Sequence, residues 1–158
     1  MIELILIRHA KSDWHDPNAS DHDRTLNARG KRDAPVMANN LANAGVAVGR
    51  LLSSTAARAS STAEVFGAAL GVSAELDPDL YLSSAATLLS KAAATGATSV
   101  ALVAHDPGIS VLAAHLSGDG IHQMPTCAVA RFTWRTESWD EAVTRVADDW
   151  ALETPRET

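Results

Sequence analysis

Two apolar runs stand out along this chain: Ile2-Glu3-Leu4-Ile5-Leu6-Ile7, interrupted by one acid, and Ser99-Val100-Ala101-Leu102-Val103-Ala104. Short apolar runs bounded by polar segments fit strands buried on both faces. They predict strands over Met1–Ile7 and Ser99–Ala104. A helix is predicted over Lys31–Ala44, where Val36, Met37, Leu41 and Ala44 fall near helical spacing. In that reading Pro35 lies in the first turn, where its missing N–H costs little, and Gly45 ends the helix. Arg50–Ser54 reads as a short strand, Ala56–Leu70 as a helix stopped by Gly71, and Val72–Leu76 as a further short strand. Ser84–Thr95 is an Ala- and Leu-rich helix ended by Gly96, and Pro107–Leu116 another helix. Ala128–Trp134 alternates as a strand does, with Val143–Ala147 as its expected hairpin partner. The polar tail from Glu153 is expected to fray.

Strands alternating with helices predict an α/β fold: a three-layer α/β/α sandwich with a mostly parallel central sheet and an antiparallel edge. A chain of 158 residues is read as one domain. In open α/β sheets, ligands bind beyond the carboxyl ends of the strands. Three such ends carry reactive groups. Arg8-His9 follows the first strand, Arg58 comes shortly after Leu51-Leu52-Ser53-Ser54, and His105 follows the second strong strand. A neutral His9 ring nitrogen can attack phosphorus, dividing one displacement into two easier ones. Arg8 and Arg58 offer paired N–H donors to phosphoryl oxygens. His105, when protonated, can donate to a third oxygen. Taken singly, each of these residues also fits a capping or ion-pairing role at a strand end; the set together points to a phosphate site.

The formal charge of −6 excludes a broad cationic face of the kind that binds nucleic acid or a membrane surface, and leaves room for a local cationic pocket. The opening apolar run is too short to span a bilayer and contains Glu3. No signal-type segment is read at the N-terminus, and Cys127 is the sole cysteine, so no internal disulfide can form. A cytoplasmic location is expected on these grounds. Cys127 reads as a small buried residue, His115 as structural, and His122 as lying on a surface loop.

The same residues resemble the histidine phosphatase superfamily, with its phosphoglycerate-mutase-like fold. Leu6-Ile7-Arg8-His9-Ala10-Lys11-Ser12 is similar to its Arg-His-Gly signature. Ser54-Thr55-Ala56-Ala57-Arg58-Ala59-Ser60-Ser61-Thr62-Ala63 is similar to its Ser-Pro-x-x-Arg-Ala-x-x-Thr-Ala motif. Ala104-His105-Asp106-Pro107-Gly108 resembles its Gly-His-Asn-Pro segment, and Asp23-Arg24-Thr25-Leu26-Asn27-Ala28-Arg29-Gly30 the stretch between the first two motifs. The Ala-Lys pair after His9 and the short chain resemble the SixA-like branch, the phosphohistidine phosphatases. The resemblance implies that His9 is the phosphorylated nucleophile, that Arg8, Arg58 and His105 form the phosphate pocket, and that Arg24 helps to hold the phosphate. It implies a reaction that needs no metal or other cofactor.

Ala10, Thr55 and Asp106 depart from the family's glycine, proline and asparagine. A further departure concerns the proton donor. The larger members carry an acid after the second motif, whereas in Asp77-Pro78-Asp79-Leu80-Tyr81-Leu82 the matching position is Leu82. Asp79 is the nearest candidate acid, and it fits equally a turn residue after Pro78. A site without a dedicated acid suits cleavage of a phosphoramidate better than that of an alkyl phosphate, whose alkoxide leaving group needs a proton. The expected substrate is therefore a phosphohistidine-bearing partner protein. A small phosphorylated metabolite or nucleotide is the alternative substrate, and a non-catalytic phosphate-binding module a third reading. Between Ala10 and Gly30 runs a long polar loop. Its Lys11, Ser12 and Trp14 are candidates for substrate contact, with packing equally open for Trp14. His15, Asp16, Asp21, His22 and Asp23 lack regular ligand spacing, so the loop reads as a solvated border of the site rather than a metal centre.

Overall fold

The computed structural model describes residues 1–156. The strands are β1 (Ile2–Arg8), β2 (Arg50–Ser53), β3 (Ala74–Leu76), β4 (Ser99–Ala104), β5 (Val129–Trp134) and β6 (Asp149–Glu153). The helices are α1 (Ala28–Asn43), α2 (Ala57–Leu70), α3 (Ala85–Ala94), α4 (Gly108–Leu116) and the short α5 (Trp139–Ala142). One six-stranded sheet runs in the order β3-β2-β4-β1-β5-β6. Its first four members are mutually parallel, and β5 and β6 complete it as an antiparallel edge. The predicted α/β architecture with a mostly parallel sheet is the observed one.

Side-chain alternation sorts the central strands onto two cores. Leu4 and Leu6 of β1, Val100 and Leu102 of β4 and Phe132 of β5 pack with Leu88 of α3 and Ile109, Leu112 and Leu116 of α4. Ile5 and Ile7, one residue out of phase, pack with Met37 and Leu41 of α1 and Phe66 of α2. A strand buried on both faces must be apolar at nearly every position, which is the pattern β1 and β4 show. Each such side chain stabilises the fold by about 1.5–3 kcal/mol.

Three expectations are corrected. First, α1 begins at Ala28, not Lys31, because the Asn27 side chain caps it and accepts the Gly30 N–H at 2.9 Å. Pro35 is thereby moved from the first turn to the helix interior, on the solvent side. Second, the partner of β5 is Asp149–Glu153 rather than Val143–Ala147. Residues 143–147 follow α5, whose Trp139 and Ala142 are drawn into the core. β6 is exposed at all five positions, so its alternating Trp150 and Leu152 face no core and give only a short, weak strand signal. Third, Glu153 pairs with Val129 in the sheet and is not part of a frayed tail. Of that tail, residues 157–158 lie outside the described residues.

The Ala10–Gly30 loop is held close to the body. Ser12 bridges Leu26 in antiparallel fashion. A Cβ on Gly30 would come within 2.1 Å of the Lys11 carbonyl oxygen, so only glycine lets the loop lie this close to α1. No helix among the described residues is long and apolar enough to cross a membrane.

Candidate active site

The parallel register carries three strand ends to one edge of the sheet. Arg8 lies opposite Ala104 and Ser53 opposite Val103, so His9, His105 and the start of α2 emerge side by side. They line a cleft of about 260 Å³ with Lys11, Ser12, Trp14, Asp21, Arg24, Leu82, Asp106 and Thr126. The rings of His9 and His105 lie 5.1 Å apart. The structure thus brings together Arg8, His9, Lys11, Ser12, Arg24, Arg58 and His105. It does not bring Asp79 to them. That carboxylate lies outside the cleft and pairs with Lys91 at 2.8 Å, where the 3-10 turn Pro78–Leu80 leaves it exposed.

His9 Nδ1 lies 2.8 Å from the Ala10 carbonyl oxygen. A carbonyl can only accept, so Nδ1 carries the proton and the Nε2 lone pair is left free. Thr62 fixes this arrangement. Its hydroxyl accepts the Ala10 N–H at 3.0 Å and donates to the Arg58 carbonyl at 2.8 Å, which ties the end of β1 to the first turn of α2. Burial lowers the pKa of His9 to about 4, and the Arg58, Arg8 and Arg24 charges act in the same direction. His105 is lowered to about 3 by burial, by His9 and by Arg58. Both rings are neutral near neutral pH.

Arg8 donates to the Met124 carbonyl at 2.9 Å and pairs with Asp106 at 3.3 Å. His105 Nε2 lies 2.7 Å from the Ser54 hydroxyl. Three buried nitrogens of this set, Arg8 Nε, Arg58 Nε and His105 Nδ1, have no hydrogen-bond partner among the described residues. An unmade buried hydrogen bond costs about 1–3 kcal/mol. Unmet polar atoms on three cleft residues mark a place prepared for an anion rich in acceptors.

Sequence reading missed how far the polar loop takes part. Asp21, read there as solvated, lines the cleft, and His22 packs beside it on Thr55 and Tyr81. Asp21 Oδ1 accepts from Arg24 Nε at 3.2 Å and Nη2 at 3.1 Å, and Oδ2 accepts from Arg58 Nη2 at 3.0 Å and from the Tyr81 hydroxyl. The Tyr81 bond, with those to Arg58 and Arg24, holds the Asp21 carboxyl well below the usual carboxylate range. Tyr81, also unforeseen, stands edge-on to His105 at 5.5 Å and to His22 at 4.9 Å. The Arg24 guanidinium stacks 3.5 Å from the centre of the Trp14 ring and bonds to Ser12, while Trp14 itself stays 72% exposed at the mouth of the cleft. The three-residue step from Asp21 to Arg24 was a readable ion-pair signal; nothing local announced Tyr81. His115, expected to be structural, is exposed on the outer side of α4. Cys127 is buried, with its thiol pushed up to about 12 by burial.

Comparison with known proteins gives this geometry a lineage. Residues 4–81 match the family described as histidine phosphatase superfamily (branch 1). A putative phosphohistidine phosphatase SixA from Agrobacterium tumefaciens superposes with a TM-score of 0.80 at 28% identity, covering 95% of this chain and 97% of that one. The protein histidine phosphatase SixA complexed with tungstate gives a TM-score of 0.76 at 25% identity, over 97% of this chain and 95% of that one. An uncharacterized chloroplastic protein of Arabidopsis thaliana is 31% identical over 152 residues, 88% of this chain and 69% of its own. The chain belongs to the histidine phosphatase superfamily, to its SixA-like branch, and is a phosphatase.

Proposed function

We propose that this phosphatase removes the phosphoryl group from phosphohistidine on a partner protein, through a covalent intermediate on His9. One observation carries the choice of substrate: among the described residues, no carboxyl group lining the cleft is free to act as an acid. Asp21 is taken up by Arg24, Arg58 and Tyr81, Asp106 pairs with Arg8, and the cleft-lining Leu82, which the family resemblance matches to the acid of larger members, has no proton to give. A phosphoester would leave as an alkoxide in need of a proton. Phosphohistidine leaves as an imidazole whose second nitrogen is already protonated near neutral pH, so the bond breaks without a donor from the protein. The SixA neighbours, one titled a putative phosphohistidine phosphatase and the other a protein histidine phosphatase, support the same substrate class.

The cleft supports the following sequence. His9 Nε2 attacks phosphorus while the P–N bond to the substrate imidazole breaks. Arg8 and Arg58 share the charge of the transferring group. The incoming anion raises the proton affinity of His105, which then donates to a phosphoryl oxygen. Water attacks phospho-His9, releasing phosphate and restoring the neutral ring. Lys11 and Ser12 line the same cleft and serve substrate binding.

The test is phosphate release at neutral pH from a phosphohistidine-bearing protein beside a panel of phosphomonoesters. The expected outcome is a clear preference for phosphohistidine, abolished in His9→Ala while tungstate still binds. Equal or faster turnover of a small phosphomonoester would move the substrate assignment, and turnover persisting in His9→Ala would remove the covalent step.

A further inference from the structure

Asp21 presents a puzzle in a site meant for anions. It sets a carboxylate among the same guanidinium groups that a phosphoryl group needs, which by charge alone should weaken binding. The pattern of its bonds gives a different account. Against Arg58, Asp21 uses two acceptors on two nitrogens: its backbone carbonyl takes Nη1 at 2.6 Å and Oδ2 takes Nη2 at 3.0 Å. Both fall on the terminal edge of the guanidinium. The side edge, made of Nε and the second proton of Nη2, is left over, and Nε is buried without a partner among the described residues. A guanidinium is a rigid planar fork, so fixing one edge fixes the direction of the other.

Arg24 is used differently. Asp21 Oδ1 takes its side edge, at Nε and Nη2, Nη1 goes to Ser12, and its face lies on Trp14. This arginine is clamped on three sides and holds the carboxylate in place. The Tyr81 hydroxyl holds Oδ2 from the opposite element.

We infer that Asp21 is a positioning residue that locks the terminal edge of Arg58, braced by Arg24 and Tyr81, so that the Nε edge meets the phosphoryl group in one fixed orientation. Arg24 then acts chiefly through Asp21 and not as a direct phosphate ligand. The inference rests on the phosphatase reading of the cleft, but its test needs no turnover.

The experiment is a double-mutant cycle on tungstate affinity, measured by calorimetry on the full chain. Asp21→Ala is expected to weaken tungstate about tenfold, in line with the loss of one well-aligned charge-assisted hydrogen bond. In an Arg58→Ala background the same change should cost less than about twofold, since two residues acting through one contact are not additive. Equal losses in both backgrounds would mean that Asp21 merely supports the loop, and would overturn the inference. Tighter or unchanged binding in Asp21→Ala would mean that the carboxylate competes with the anion or is idle, and would overturn it too. Should Asp21→Ala fail to fold, Asp21→Asn preserves the side-chain shape and carries the same cycle. A wild-type enzyme that bound tungstate but released nothing from phosphohistidine proteins would defeat the proposed substrate and leave this cycle intact.

Discussion

As the proposed nucleophile, His9 combines two demands that pull apart. A nucleophile must be neutral, while a phosphate site must be cationic. Burial settles the conflict: it lowers the ring to about 4, so the lone pair survives beside Arg58, Arg8 and Arg24. The ring-proton NMR signals of His9 and His105 in the empty enzyme are accordingly expected to show no titration between about pH 8 and 5.5, unlike a free histidine near 6.5. On saturation with tungstate the His105 signal should shift toward that of the protonated ring, because the neighbouring anion reverses the balance that lowers it to about 3 when the cleft is empty. An inflection near 6.5 for either ring in the empty enzyme would contradict the desolvation argument. At this scale the sequence was legible where a reactive residue ended a readable strand, as His9 and His105 do. It was not legible for Asp21 and Tyr81. Their contacts span 37 residues to Arg58 and 60 to each other, from a loop and a turn in which hydropathy has no period.

Elements were legible in proportion to their burial. β1 and β4, covered on both sides, announced themselves, whereas β6, exposed throughout, did not. Helix α1 shows a subtler failure, since its apolar spacing was visible but its cap was not. Asn27 starts the helix a full turn before Pro35 would place it, and leaves Pro35 inside. There the ring removes the N–H that would bond to the Lys31 carbonyl and crowds that carbonyl. The position is exposed, so water can reach the orphaned oxygen, and the helix tolerates the loss. Pro35→Ala is expected to raise stability by about 1–3 kcal/mol, the interior-proline penalty reduced by the extra freedom gained by the unfolded chain. Chemical denaturation at neutral pH measures this, with phosphate release as a control that should not move. A variant no more stable than the parent would show that α1 has already absorbed the proline at little cost.

Across the whole molecule, the demands of the site set how stability follows pH. His9 and His105 have folded values below that of a free histidine, so between about pH 6.5 and 4 the unfolded chain binds more protons than the folded one. Stability is therefore full above about pH 6.5 and is lost as the pH falls toward 4. For His9 alone the loss reaches roughly 3 kcal/mol, because each tenfold difference in proton affinity between the folded and unfolded chain is worth about 1.4 kcal/mol. Asp21, also held below its ordinary value, adds a loss of the same sign at more acid pH, as its ties to Arg58, Arg24 and Tyr81 are protonated away. Urea unfolding at pH 7, 5.5 and 4.5 should show this decline, and His105→Gln should flatten it, since an uncharged amide has no proton to gain on unfolding. An equally steep decline in that variant would place the acid sensitivity elsewhere in the molecule. Tungstate supplies the complementary case. An anion that raises His105 toward its unfolded value removes that residue's share of the proton imbalance, so the bound enzyme should resist acid better than simple mass action predicts. The fold thus holds two neutral imidazoles among cations at a cost in acid stability, and a bound anion relieves that cost.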